Sequence, residues 1–346
     1  MSLVINSYNY QYRGWTPVSS TGYQNLIRVS GSGQIQYSSF GEYGINGLYK
    51  STDYGKTWSY INFNNTRIIS LEISDSGQVI YLTDLPLTGN NNAYKSSDFG
   101  QTWQILNLSP QASGRQHYIL NSSNDGNEVM LYVVKGSGTG PVAEPPKMVR
   151  SIDGGNTFTY TIPNSSLPIS ISDWSVKSSR DFSTIYAKRL SFSLNVTGES
   201  ELYKSIDYGL NWVQCFGQNI SLIARGGVST SRNGEVVIIH EYDSDTVGSI
   251  IISSVISLDY GQTWTPYIGN TDKSAFSDDN KYISSIRRLN PTSINSQVLT
   301  QLGFTINFPI AFDISMSLDG RYQSIATENL IHVNNNFGYG PILSNS

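Results

Sequence analysis

Charge, cysteine, histidine and long apolar runs are all scarce in this chain. Its 346 residues include 22 lysines and arginines and 26 aspartates and glutamates, so charged residues make up 14%, against about 25% in an ordinary soluble domain. A net charge of -4 offers no overall basic face. Phosphate binding needs such a face, so nucleic acid is excluded as the principal partner. The single cysteine, Cys215, excludes an internal disulfide framework. The three histidines fall in no cluster with metal-ligand spacing, and neither metal nor other cofactor is expected. No apolar run approaches the roughly 18 residues of a membrane helix, so membrane insertion is not expected. Residues 1–14 lack the basic start and apolar stretch of a signal peptide. That points to an intracellular or virion-associated protein, with non-classical export as the remaining route.

What is abundant is Ser, Asn, Thr, Gly and Tyr, and one octapeptide organises them. Ser51-Thr52-Asp53-Tyr54-Gly55-Lys56-Thr57-Trp58 returns as Ser96 to Trp103, Ser151 to Phe158, Ser205 to Trp212 and Ser257 to Trp264, with first residues 45, 55, 54 and 52 positions apart. Each copy reads as a hairpin turn. Its aspartate (Asp53, Asp98, Asp153, Asp207 or Asp259) accepts hydrogen bonds from turn N–H groups, its Gly supplies a positive φ, and its aromatic opens the outgoing strand. A period of this length means one supersecondary unit per repeat. A second turn, of the form Ser-x-Asp-Gly, precedes each copy and starts at Ser30, Ser74, Ser123, Ser179, Ser231, Ser277 and Ser317. Seven such turns predict seven units.

The motif S-x-D-x-G-x-T-W resembles the Asp-box, or BNR repeat, of sialidase-type propellers. The resemblance implies an all-β, single-domain fold over residues 1–346: a seven-bladed β-propeller of four-stranded antiparallel blades, with Asp-box turns between strands c and d. The Asp-box is a structural turn in such families. Here the last blade lacks an outer strand, and residues 1–20, with Trp15 where Trp58 stands in the first blade, are expected to supply it and close the ring. Strand order puts both turn types on one face and the longer b–c and d–a connections on the other, which is the expected functional face. Along the inner strands an apolar column (Ile27, Leu71, Leu120, Val176, Val228, Ser274, Ile314) is expected to pack between blades. Its polar neighbours Arg28, Glu72, Asn121, Lys177, Ser229, Ala275 and Ser315 are expected to line the central channel.

Near the functional end of these strands stand Arg67, Arg115, His117, Trp174 and Arg225, with Asp84 one strand on. These residue types suit a floor that holds a carboxylate or stacks on a sugar ring. The sialidase resemblance would add an arginine triad, a Tyr nucleophile with its Glu, and an Asp acid/base. Thr66-Arg67-Ile68-Ile69 keeps the Arg-Ile of the first triad motif without its Tyr or Pro, and no Tyr/Glu pair stands out. Polysaccharide-cleaving Asp-box propellers work with two carboxylates instead, for which Asp84, Glu144, Glu199, Asp243 and Asp245 are the candidates. Propellers that assist photosystem assembly share the turn, but their apolar strand pattern is missing here. No catalytic residue is assigned. The expectation is a recognition module for a glycan or glycoprotein. The alternatives are a protein-binding structural part of a virion or other large particle, in which the chain would oligomerise, and a sialidase-type glycoside hydrolase.

Overall fold

A computed structural model describes residues 16–19, 24–42, 45–61, 63, 66–85, 91–108, 115–135, 147–161, 174–189, 198–220, 227–240, 254–267, 271–288, 295–300, 305–309, 311–327 and 330–335. Among them, seven four-stranded antiparallel sheets are formed, each consecutive in sequence except the last. The first comprises Gln24–Val29, Gln36–Glu42, Ile45–Ser51 and Ser59–Ile61. The innermost strands of the next six are Arg67–Ile73, Arg115–Ser122, Trp174–Ser178, Val228–Thr230, Lys273–Phe276 and Ala311–Met316. Each innermost strand packs against the next, and Ala311–Met316 against Gln24–Val29, so the sheets close into a ring. The outermost strand of the seventh sheet is Thr16–Ser19, antiparallel to Leu330–Asn334 with Thr16 opposite Val333 and Ser19 opposite Leu330.

Apolar residues fill each gap between sheets. Seven separate core clusters are present among the described residues, one per gap. Five of the apolar column's seven members are fully buried there or nearly so: Ile27, Leu71, Leu120, Val176 and Val228; Ile314 joins them between sheets six and seven. Three buried tyrosines stitch the gaps further. Tyr37, Tyr81 and Tyr186 donate their hydroxyls to the carbonyls of Gly77, Gly126 and Gly234 in the following sheet, at 2.9, 2.8 and 2.9 Å. A buried Tyr keeps its large apolar contribution only if its hydroxyl finds such a partner.

The Asp-boxes join the third and fourth strands of their sheets, and each letter has a bond. Ser51 Oγ donates to Asp53 Oδ1 at 2.8 Å and accepts Gly55 N–H at 2.9 Å. Asp53 then accepts Thr57 N–H on Oδ1 at 2.9 Å and the Thr57 hydroxyl on Oδ2 at 2.6 Å. Trp58 Nε1 returns to Gly55 O at 2.9 Å. The fourth residue departs from the expectation of a single positive-φ glycine: Tyr54, Phe99, Tyr208 and Tyr260 have φ of 64°, 60°, 58° and 58°, each directly before the left-handed glycine. Bulky side chains rarely adopt this region. In four boxes a cation from the preceding sheet meets this fourth position. Lys50 Nζ donates to Phe99 O at 3.2 Å and stands 4.9 Å from that ring's centre. Lys95 reaches Gly154 O at 2.8 Å, Arg150 lies 4.0 Å over the Tyr208 ring, and Lys204 reaches Tyr260 O at 2.9 Å.

In the first sheet, pairing of Gln36–Glu42 with Ile45–Ser51 extends to Glu42 opposite Ile45.

Candidate functional site

The seven Ser-x-Asp-Gly turns share one hydrogen-bond pattern: the fourth residue's N–H donates to the Ser carbonyl, and the Ser N–H to the carbonyl five residues on. This leaves the second residue of each turn facing the ring's axis. Gly31 N–H donates to Asp75 O, Asp75 N–H to Asn124 O, Arg180 N–H to Arg232 O, Asp278 N–H to Leu318 O and Leu318 N–H to Gly31 O, at 2.6 to 3.0 Å. A collar of backbone hydrogen bonds therefore surrounds one end of the bore.

Two arginines cross this collar. Arg232, from sheet five, holds Asp75 of sheet two with both terminal nitrogens at 2.9 Å, and also reaches Asn124 at 2.6 Å and Asp278 at 3.1 Å. Arg180, from sheet four, donates to Asn121 Oδ1 at 3.1 Å and to the Ile73 carbonyl at 2.5 Å, and lies 3.4 Å from Asp75. Asp75 and Asn124 belong to sheets not adjacent to that of Arg232, and Ile73 and Asp75 to one not adjacent to that of Arg180, so both guanidinium groups reach across the bore and obstruct its turn end. Burial, with the nearby Arg232, pushes the Arg180 pKa down to about 10 although Glu72 and Asp75 oppose that shift.

Above this stop lies a cavity of about 410 Å³, in the size range of small-ligand sites. All seven residues of the polar column line it. Its wall carries a belt of ion pairs across sheets six, seven, one and two. Lys273 Nζ is 3.3 Å from Asp313 Oδ1, Arg28 Nη1 2.7 Å from Asp313 Oδ2, and Arg28 Nε 2.9 Å from Glu72 Oε1. Burial alone would raise the Asp313 carboxyl, but Lys273, Arg28 and the Ile27 N–H outweigh it and hold it below the usual range. A carboxylate so held is a counter-ion and a poor proton donor.

Beside the cavity, Ser229 Oγ and His240 Nε2 are 2.7 Å apart, and His240 Nδ1 is 2.7 Å from Thr271 Oγ1. Thr271 Oγ1 donates to Ser254 Oγ at 3.0 Å, which leaves it to accept His240 Nδ1–H and leaves Nε2 to accept the Ser229 hydroxyl. The pair has the outline of a nucleophile and base. Burial first, then Lys188, Lys273 and Lys177, push the His240 pKa down to about 3, so the imidazole stays neutral and holds no proton taken from serine.

The six residues singled out from sequence divide. Arg67 is exposed at the first position of its inner strand, and Arg115 and Trp174 begin theirs, so the three mark the same end of sheets two, three and four. The side chains of Arg115 and Trp174, and all of Arg225, lie outside the described residues, as do Glu144, Asp243, Asp245 and the Glu199 side chain. Asp84 and His117 are buried and engaged nearby. Asp84 accepts Asn92 N–H at 2.7 Å, the Thr66 hydroxyl at 3.2 Å and the Tyr94 hydroxyl at 3.1 Å. His117 N–H donates to Asn91 Oδ1 at 2.9 Å, and Asn91 Nδ2 donates to His117 O at 2.6 Å. The pair Asn91-Asn92 thus ties Asp84 and His117 together. Sequence reading missed Arg180, Arg232 and Asp313. The only signal was two arginines at the second position of successive turns.

A closed ring of four-stranded antiparallel sheets around a bore is a β-propeller. Its repeat is the BNR-Asp box repeat, whose profile matches residues 48–61. No curated protein sequence matches the chain. Several solved structures share the fold. The GH74 xyloglucanase from Xanthomonas campestris aligns over 93% of this chain at 13% identity and a TM-score of 0.61. This chain covers 54% of that enzyme, about half its length. YCF48 bound to D1 peptide aligns over 97% of this chain and 98% of its own, with 11% identity and a TM-score of 0.58. Hydrazine synthase of Kuenenia stuttgartiensis aligns over 93% and 98%, with 11% identity and a TM-score of 0.61. Among the described residues no helix is long and apolar enough to cross a membrane, and no group of three or more His, Cys, Asp or Glu is placed to hold a metal.

Proposed function

We propose that this chain is a non-catalytic, seven-bladed recognition propeller that takes the end of a glycan or glycoprotein glycan into the bore. The cavity in the bore supports the reading most directly: it is ligand-sized and lined by charged and hydroxyl side chains, with Arg180 and Arg232 across its turn end, and Arg67, Arg115 and Trp174 begin their strands at the opposite end. We propose that those three help to form its mouth. Hydrolysis of a glycosidic bond calls for a carboxyl held protonated near neutral pH. Asp313 is held ionised instead, and Arg28 occupies both it and Glu72. The solved relatives support only the fold, since their titles name a polysaccharide hydrolase and a peptide complex alike. A glycan array with neutral and acidic termini, read for retention and for loss of terminal sugar, tests the reading. Retention without cleavage is the expected result; cleavage overturns it.

A second reading, contact with a partner protein, has its own observation. Ile152, Ile206 and Leu258, at the second position of three successive Asp-boxes, are 66%, 73% and 61% exposed, and Tyr208, Leu210 and Tyr260 are exposed beside them. The first two boxes carry Thr52 and Ser97 at that position. Apolar exposure repeated at one position of three successive boxes is a mark of protein contact.

A further inference from the structure

Four of the five cations in the bore have a carboxylate partner. Arg28 holds Glu72 and Asp313, Lys273 holds Asp313, and Arg180 and Arg232 hold Asp75. The fifth, Lys177 of sheet four, faces the ion-pair belt from across the cavity and has neither an ion pair nor a hydrogen bond among the described residues. Its neighbours on either side offer no acceptor. Asn121 of sheet three is bound to Arg180, Ser178 O and Ser179 O. Ser229 of sheet five is bound to His240 and Ser274 N–H.

An ammonium in a narrow bore loses much of its hydration, and without a counter-ion that loss goes uncompensated. Burial, together with Arg28 and Lys273, accordingly holds Lys177 below the usual lysine range, with Glu72 and Asp313 opposing. Two hydroxyls that line the cavity are half used, Ser175 beside Lys177 on sheet four and Ser315 opposite on sheet seven. Ser175 Oγ accepts Val228 N–H at 3.1 Å and Ser315 Oγ accepts Val29 N–H at 3.0 Å, which leaves each proton to be donated into the cavity.

We propose that Lys177 anchors the carboxylate of a small, hydroxyl-rich ligand, a sugar acid at a glycan end or free in solution, with Ser175 and Ser315 donating to its oxygens. The inference rests on the recognition reading for the ligand's sugar frame, while the anion site depends only on the charges described. A carboxylate at Lys177 supplies the missing counter-ion, and the crossed Arg180 and Arg232 limit how deep the ligand enters.

The test is titration calorimetry of the full chain with galacturonate, galactose and acetate, alongside Lys177→Met and Lys177→Arg. Galacturonate is expected to bind at least tenfold more tightly than galactose. Lys177→Met should lose that difference and Lys177→Arg should keep it. Galacturonate should also raise the melting temperature of the native chain and not that of Lys177→Met, and Lys177→Met should melt no lower than the native chain without ligand, because it removes an unpaired charge. Equal binding of galacturonate and galactose, unchanged binding by Lys177→Met, or a lower melting temperature for Lys177→Met overturns the proposal. Retention of neutral glycans by native chain and Lys177→Met alike would keep the recognition reading and sink the anion site. Lysine-dependent binding of galacturonate and acetate with equal affinity would keep the anion site and sink the sugar reading.

Discussion

Replacing Phe182 by glycine should destabilise the protein less than replacing it by alanine, reversing the usual order. Phe182 fills the position held by glycine in five of the seven Ser-x-Asp-Gly turns, with φ of 59°, and its side chain is 1% exposed in the core between sheets three and four. Cutting a buried Phe to Ala costs about 3–5 kcal/mol from lost transfer energy and the cavity left behind. A left-handed conformation costs an L-residue roughly 1–2 kcal/mol, which Phe and Ala both bear and Gly does not. Glycine gives back about 0.4–1 kcal/mol through its freer unfolded chain. Phe182→Ala should therefore lose about 3–5 kcal/mol, and Phe182→Gly about 1 kcal/mol less. Urea unfolding monitored by Trp fluorescence measures both. The matched control is Val176, in the same core and in an extended strand. There Val176→Gly should be the worse of the two by roughly 0.5–1 kcal/mol. An alanine variant at 182 as stable as the glycine variant would refute the account of these turns.

Acid should weaken the fold in two windows. His240, pushed down to about 3 by burial and nearby lysines, takes no proton in the folded state until far below its ordinary range, so stability falls as pH drops from about 6.5 toward 3. Asp98, Asp153 and Asp259 are held at about 2, chiefly by their threonine hydroxyls, so their contribution is complete above about pH 4 and disappears as pH falls through 2. Urea midpoints measured against pH should show both, and His240→Gln should shallow the upper window without removing it, since burial holds His332 down to about 4 as well. On the rim, Ile206→Asp should reduce self-association or dye binding by light scattering or fluorescence while moving the melting temperature by less than about 1–2 °C, since an exposed substitution costs little.

The turns were legible because their residues bond to one another within eight positions; Ser51, Asp53, Gly55, Thr57 and Trp58 each have a local partner that dictates the residue type. The inner-strand columns were legible because alternation sorts residues between sheet gap and bore. What lay hidden depends on ring geometry. The second turn positions read Gly31, Asp75, Asn124, Arg180, Arg232, Asp278 and Leu318, which looks like solvent-facing variation. Only closure of the ring brings Arg232 to Asp75 across 157 residues. The role of the aromatics before Gly100, Gly209 and Gly261 was hidden likewise, because the cation that meets each comes from the previous sheet. Attention therefore fell on Arg67 and its companions, and not on Lys177 and Asp313 in the bore.

On the proposed reading, the arginines that cross the turn end make the bore a well and not a tunnel. A tunnel can be threaded by any stretch of a long polymer, whereas a well admits only a terminus, and what enters must leave the way it came. Occupancy of such a site reports how many chain ends surround the protein, and cutting one polymer in two doubles the signal without adding any mass of ligand.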